Sequence, residues 1–241
     1  MEIPKKIHYC WFGYNPKPDI VLRCISSWKK FMPEYEICEW NENNYDCHKI
    51  PFIEEAYKKQ KWAFVSDYAR FDILFQYGGI YFDTDVELLK PIPQDILCKV
   101  SFTGMEMGGI VSPGLVFACV PHFHFLENIL RYYQNLNFED DPKKIKTVNT
   151  ITTELLIPFG YQKENKFQEI SDISIYPAEY FCSYDLDIHE YAIGPESISV
   201  HHYAGSWASP NAKSILQAKL KRLIGFENYR KMLLLKRRVY K

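Results

Sequence analysis

Ser66-Asp67-Tyr68-Ala69-Arg70-Phe71-Asp72-Ile73-Leu74-Phe75-Gln76-Tyr77-Gly78-Gly79-Ile80-Tyr81-Phe82-Asp83-Thr84-Asp85 decides how this chain is read. Ala63 to Tyr77 is predicted helical, with Gly78-Gly79 as its stop, because glycine takes the left-handed conformations that end helices. Ile80 to Phe82 is a short apolar run of strand type, and Val86 to Leu89 continues beyond it. A bare Asp-x-Asp occurs by chance in many chains. Helix, glycine pair, strand and Asp-x-Asp in this order form a longer and more specific pattern. Two carboxylates one residue apart on an extended chain point the same way. They make an oxygen-ligand site for a hard divalent cation, which can grip a diphosphate.

The sequence before this segment alternates strand and helix. Ile7 to Phe12 reads as a buried strand, Asp19 to Phe31 as a helix ended before Pro33, and Tyr35 to Trp40 as a second strand. Phe52 to Lys59 is a short helix. This alternation predicts an α/β fold with a parallel, Rossmann-like half. Ligands of such sheets lie outside the carboxyl ends of the strands. Trp11, Trp40-Asn41 and Asp83 to Asp85 fall at those ends. The later part is less regular. Strands are expected at Leu115 to Val120, Ile173 to Tyr176 and Ser197 to Tyr203, and helices at Phe123 to Leu136 and from Ala212 onward.

The 241 residues suffice for one α/β domain with a full core, and the 47% hydrophobic and 24% charged content is that of a globular chain. No stretch has the length of a membrane span, and the N-terminus lacks a signal-peptide pattern. Seven scattered cysteines without Cys-x-x-Cys argue against a zinc site or disulfide framework, which fits reduced thiols and a cytoplasmic location. The net charge of −1 hides an asymmetry: residues 213–241 hold ten Lys or Arg against Glu227, a net of +9, leaving −10 on the rest. Residues 212–241 interleave those bases with Leu and Ile, a basic amphipathic pattern suited to an anionic membrane interface rather than to nucleic acid. The catalytic domain is expected over residues 1–211.

Asp67 and Arg70 share a helix face. Asp67 suits sugar hydroxyls, and Arg70 suits bidentate contact with a phosphate or sugar oxygen; Ser66 stands beside them. Val200-His201-His202-Tyr203-Ala204-Gly205-Ser206-Trp207 offers a histidine to complete a cation's shell and a tryptophan flap to exclude water. Trp11 is placed to stack on a nucleotide base.

These residues resemble glycosyltransferase family 32, the group with a sugar-binding region containing the DXD motif. The likeness rests on Ile-Pro-Lys-Lys-Ile-His-Tyr-Cys-Trp-Phe-Gly at the start, Ser-Asp-x-x-Arg with Gly-Gly-x-Tyr-x-Asp-x-Asp, Ile175-Tyr176-Pro177 with Tyr180-Phe181, and His-His-x-x-Gly-Ser-Trp near the end. It implies a GT-A fold, a mixed sheet flanked by helices, and retention of configuration with Mn²⁺ or Mg²⁺. By position it makes Trp11 the base-stacking ring, and Ser66, Asp67 and Arg70 the donor contacts. Tyr81 becomes a wall of the nucleotide pocket, Asp83 a ribose or metal-water contact, and Asp85 the direct metal ligand. His202 is the expected third ligand before His201, and Ser206 and Trp207 belong to a closing loop. The implied partners are a nucleotide-sugar donor, UDP-linked by resemblance to bacterial members, and a glycan or lipid-linked acceptor of surface polysaccharide synthesis. Two other readings share the acids: a divalent-ion carbohydrate-binding module, and a haloacid dehalogenase-type phosphohydrolase, whose motif here would end in Glu87 instead of Thr or Val.

Overall fold

The computed structural model describes residues 2–139, 141, 146–185 and 190–204. Strand β1 (Lys6–Cys10), helix α1 (Asp19–Phe31) and strand β2 (Glu36–Trp40) come first, and helices α2 (Pro51–Lys58) and α3 (Trp62–Tyr77) lead into β3 (Gly79–Tyr81) and β4 (Val86–Leu88). Then come α4 (Gln94–Leu97), β5 (Ser101–Glu106), β6 (Ile110–Val111), β7 (Phe117–Cys119), α5 (His124–Gln134) and α6 (Val148–Leu156). After a 3-10 turn at Ile157–Phe159 the chain forms β8 (Gln168–Ile170), β9 (Ile173–Tyr176), α7 (Ala178–Phe181), β10 (Tyr184–Asp185), β11 (Glu190–Tyr191) and β12 (Ser199–His201).

The principal sheet is ordered β2-β1-β3-β7-β5-β9-β8, with β6 attached to β5. β2, β1 and β3 run parallel. β7 lies antiparallel between β3 and β5, so the sheet is mixed. The expected Rossmann-like half and flanking helices are therefore present. Trp11, Asn41 and Asp83 all follow the carboxyl ends of the parallel strands, which puts the cleft at that edge.

Helix α3 is buried on almost every side, with Val65, Ala69, Phe71, Ile73 and Leu74 fully enclosed. It is a core helix whose enclosed surface also carries Asp67, Arg70 and Asp72. Its end is fixed by the glycine pair. Gly78 and Gly79 have φ of 61° and 102°. A Cβ on Gly79 would lie 2.8 Å from the Lys6 carbonyl oxygen and 2.9 Å from His8 Nε2, so a larger residue would push β3 off β1. Burial lowers the His8 imidazole to about 4, so it is neutral. Trp40 Nε1–H donates to its Nδ1 at 3.1 Å, and its Nε2 lies 2.9 Å from the Gly78 carbonyl, to which it donates. This one ring ties β1, β2 and the helix stop together.

Helix α1 packs on β4. Trp28 Nε1–H donates to the Val86 carbonyl at 2.8 Å, and the Leu88 N–H donates to Ser27 Oγ at 2.9 Å. β4 also pairs antiparallel with β12, with His201 opposite Val86. A strand from residue 86 onward thus brings the second histidine-bearing segment, 115 residues later in the chain, back to the Asp-Thr-Asp.

Candidate functional site: an Asp-Thr-Asp turn between Arg70 and His201

The Asp-Thr-Asp is a turn, where the sequence had suggested an extended chain. The Val86 N–H donates to the Asp83 carbonyl at 3.1 Å, closing a tight turn between β3 and β4. The two carboxylates therefore have different neighbours. The reversal is forced by tertiary structure: β3 must stay against β1 and β7, whereas β4 is held by α1 and β12.

Asp83 faces Arg70. Arg70 Nη2 lies 3.3 Å from Asp83 Oδ1 and 2.9 Å from Asp67 Oδ1, and its Nε–H donates to the Ser66 carbonyl at 3.1 Å. Its guanidinium sits over the Tyr81 ring at 4.9 Å, and the Tyr81 hydroxyl donates to Asp83 Oδ1 at 3.1 Å. Arg70 is only 3% exposed. Most of its donors are engaged inside the fold, on Asp67, Asp83 and the Ser66 carbonyl. What the group does in this arrangement is hold Asp67 and Asp83 in place. Burial alone disfavours its charge, and the carboxylate of Asp83 and then Asp67 outweigh that, keeping it protonated. Burial pushes the Asp67 carboxyl up to about 7, with Arg70 opposing and Asp83 adding to the rise. Ser66 Oγ–H donates to the Trp62 carbonyl at 3.1 Å, within its own helix.

Asp83 is also closed in by Gly114. The Asp83 N–H donates to the Gly114 carbonyl at 2.9 Å, and a Cβ on Gly114 would sit 2.0 Å from Asp83 Oδ2. Gly114→Ala is therefore expected to displace the Asp83 carboxylate. It should cost about 1–3 kcal/mol by the usual penalty of overpacking. The loss will show as a lowered Tm together with weaker nucleotide binding.

Asp85 faces β12. His201 Nε2 lies 2.9 Å from Asp85 Oδ1, and the Ala204 N–H donates to Oδ2 at 2.9 Å. Burial raises the Asp85 carboxyl, but bonding and charge from His201, with the Ala204 N–H, outweigh it and hold it below its ordinary value. His201 is raised above 6.5: burial lowers it, and the Asp85 bond and charge, then Asp83 and Glu106, win. The two histidines meet different carboxylates, His201 that of Asp85 and His202 that of Glu87. His202 Nε2 meets Glu87 Oε2 at 2.8 Å, its Nδ1 meets the Tyr191 hydroxyl at 2.6 Å, and Arg23 Nη2 lies 3.2 Å from Glu87. Successive side chains at a strand end diverge, so only one histidine can face Asp85.

Among the described residues no group of three His, Cys, Asp or Glu forms a ready-made metal cage. The donors present still fit a hard cation of the Mn²⁺ or Mg²⁺ type, since these ions are commonly held by one or two protein groups and completed by substrate phosphates. Asp85 Oδ1 and His201 Nε2 are the pair that would hold it, with the proton between them displaced. His201 Nδ1 is buried and unpartnered among the described residues, which marks the ring as belonging to an incomplete polar site.

The pair has a predictable pH signature. A raised histidine contributes stability in full below its ordinary value, and that contribution is lost as pH rises through its folded value. A depressed aspartate contributes above its ordinary value and loses it as pH falls through its folded one. In chelator, the Tm difference between the wild type and His201→Gln is thus expected to be largest between 3.8 and 6.5, and to shrink above that window. A cation needs the neutral imidazole. Mn²⁺ affinity should accordingly fall by up to about tenfold per pH unit below the folded value of His201.

Trp11 is partly buried, and its Nε1–H donates to the Asn15 carbonyl at 2.7 Å. It lines a cavity of about 190 Å³ with Tyr14, Lys17, Glu39, Asn41 and Glu42. Ser206, Trp207 and the basic segment 212–241 lie outside the described residues, as does the proposed boundary between domain and tail. Among the described residues no helix is long and apolar enough to cross a membrane. Sequence reasoning missed Gly114, Ser112 and Asn149, and gave no role in donor binding to Tyr203 or Glu106. A Pro-Gly turn is the only local signal for this group.

Residues 18–103 match the family described as "Glycosyltransferase sugar-binding region containing DXD motif". The alpha-1,4-N-acetylglucosaminyltransferase of Homo sapiens is 30% identical over 177 residues, which cover 71% of this chain and 45% of that protein. The inositol phosphoceramide mannosyltransferase 1 of Schizosaccharomyces pombe is 25% identical over 234 residues, covering 88% of this chain and 64% of that protein. The solved PaToxG glycosyltransferase is 18% identical, covers 65% of this chain and 69% of its own, and aligns with a TM-score of 0.47. The chain thus spans 45% to 64% of the length of these two curated relatives. Through the segment that carries α3, the glycine pair and the Asp-Thr-Asp turn, this chain belongs to the DXD-motif sugar-transferase group of the family 32 type.

Proposed function

We propose that the chain is a metal-dependent, retaining glycosyltransferase of GT-A type that moves a hexose from a nucleotide sugar, preferably a UDP-sugar, to a saccharide or lipid-linked acceptor in surface polysaccharide synthesis. The observation that carries this reading is the division of labour across the Asp-Thr-Asp turn. Asp83 is locked to Arg70 and Tyr81 on one side, and Asp85 is paired with an exchangeable proton on His201 on the other. The first side is built to stay fixed, the second to exchange its proton for a cation.

A bound cation supplies neutralisation of the departing diphosphate, ordinarily a large electrostatic contribution. The chain's own residues do the rest. Trp11 stacks on the base and Tyr81 walls the nucleotide pocket. Asp67, fixed by Arg70, takes sugar hydroxyls, and Asp83 meets the ribose or a metal-bound water. In a front-face transfer the bond from the anomeric carbon to the phosphate oxygen breaks, its electron pair leaving on the phosphate. The acceptor oxygen attacks from the same face, and its proton passes to the departing phosphate oxygen. His202, the basic segment and a peripheral site on the inner leaflet complete the proposal, with Ser206 and Trp207 closing over the donor. A glycosyl group trapped covalently on Asp67 or Glu106 would replace this route by a double displacement.

Purified protein with Mn²⁺ and a panel of UDP- and GDP-sugars tests the reading by nucleotide release. Release from one donor, abolished by chelator, is expected. Phosphate release from p-nitrophenyl phosphate, or sugar binding without any nucleotide requirement, would replace the reading with one of its alternatives.

A further inference from the structure

Glu106 ends β5 beside the cleft and has no part in the transfer chemistry described above. Its Oε1 accepts from Ser112 Oγ at 3.2 Å and from Asn149 Nδ2 at 3.1 Å. The Tyr203 hydroxyl is bonded to it as well. Among the described residues no Lys or Arg forms an ion pair with it. A carboxylate ringed by neutral hydroxyl, amide and phenol groups is furnished for hydroxyl recognition, not for a phosphate.

The position follows from two fasteners. The Leu115 N–H donates to the Ser112 carbonyl at 3.1 Å, closing a turn that bonds Glu106 at Ser112 and packs on Asp83 at Gly114. Helix α6 is tied to β6 because the Val111 N–H donates to Thr153 Oγ at 3.0 Å, while that hydroxyl donates to the Asn149 carbonyl at 2.7 Å. Asn149 is thereby held over Glu106. Glu106 and Asp83 flank one short turn, and the like charge of Glu106 repels a diphosphate. The phosphates then lie toward Asp85 and His201, and the neutral sugar toward Glu106.

We infer that Glu106, positioned by Ser112, Asn149 and Tyr203, accepts a hydroxyl of the donor's hexose and helps set which sugar is taken. This rests on the transferase reading and names a residue of its sugar subsite. The test uses the full chain with Mn²⁺, comparing UDP with UDP-glucose, UDP-galactose and UDP-N-acetylglucosamine, and GDP with GDP-mannose. Glu106→Gln is expected to bind the bare nucleotide within about twofold of wild type, to lose the extra affinity contributed by the sugar, and to narrow the preference among donors. Its kcat/KM for donor hydrolysis should fall about 10- to 100-fold, the size of one hydrogen bond to a charged group. Asn149→Ala is the second variant, with the same pattern at smaller amplitude. Unchanged donor preference and kcat/KM in Glu106→Gln would overturn the assignment. So would equal losses for nucleotide and nucleotide sugar, which mark a structural role. Failure of the wild type to bind UDP or GDP with Mn²⁺ is a different result: it removes the transferase reading, and the Glu106 assignment with it.

Discussion

Asp85→Asn is expected to leave a folded protein that has lost metal-dependent nucleotide release. The carboxamide keeps an oxygen for the Ala204 N–H, so the turn can close as before. It carries no charge for a cation and none for His201, whose proton is held largely by the Asp85 bond and charge. Loss of a preorganised charge of this kind ordinarily costs about 10²–10³ in rate, and loss of a direct ligand is at the upper end or beyond. The variant should also show the His201 titration moved down toward its ordinary range, readable by NMR. Retained activity with retained Mn²⁺ dependence would remove Asp85 from the metal site.

Arg70→Met carries the largest expected effect on stability. The guanidinium is enclosed together with Asp67 and touches the half-buried Asp83, so its removal leaves the buried Asp67 carboxyl without a cation. Breaking a buried pair in this way costs about 3–5 kcal/mol. At about 2–4 °C per kcal/mol for a domain of this size, the Tm drop will be large. The deficit should depend on pH in a definite direction. Burial already holds the Asp67 carboxyl at about 7 against the opposition of Arg70. Without Arg70 it rises further above its unfolded value. A carboxyl raised on folding keeps its proton in the native state, so stability falls as pH rises through that interval. The variant is thus expected to lie nearer to wild type at pH 5 than at pH 8. Adding Asp67→Asn should restore part of the loss at pH 8. A deficit independent of pH, or no rescue by the second change, would contradict the buried-pair account.

The parallel half was legible because each signal there is local, whereas the turn at Asp83 to Asp85 was not, since it is set by the partners of β3 and β4. The α3 helix, its glycine stop and the β3 strand fall in one run of residues, and α1 was readable from its apolar spacing. The reading failed where burial overrides propensity. β5 (Ser-Phe-Thr-Gly-Met-Glu) is the centre of the second half of the sheet, yet it buries Ser101, Thr103 and Gly104 and so lacks a strand's apolar run. α6 (Val-Asn-Thr-Ile-Thr-Thr-Glu-Leu-Leu) is rich in β-branched residues, which are weak helix formers, and is held by the Thr147 cap and by Thr153. These two missed elements carry Glu106 and Asn149, the groups proposed above for the donor's sugar. That is why Asn149, and the place of Glu106 beside the Ser112–Leu115 turn, escaped the sequence reading whereas Asp83 and Asp85 did not. The order of His201 and His202 was equally out of reach, since it depends on the β12–β4 register and not on spacing.

Asp85 and His201 are proposed to share a cation with a nucleoside diphosphate. Titration of Mn²⁺ into the wild type, followed by the paramagnetic signal of the free ion with and without UDP or GDP, tests it most directly. Weak binding of Mn²⁺ alone and at least tenfold tighter binding with the diphosphate are expected, with the same factor appearing in the nucleotide's affinity on adding Mn²⁺. Mn²⁺ and nucleotide affinities that are independent of each other would contradict the shared site and the mechanism built on it.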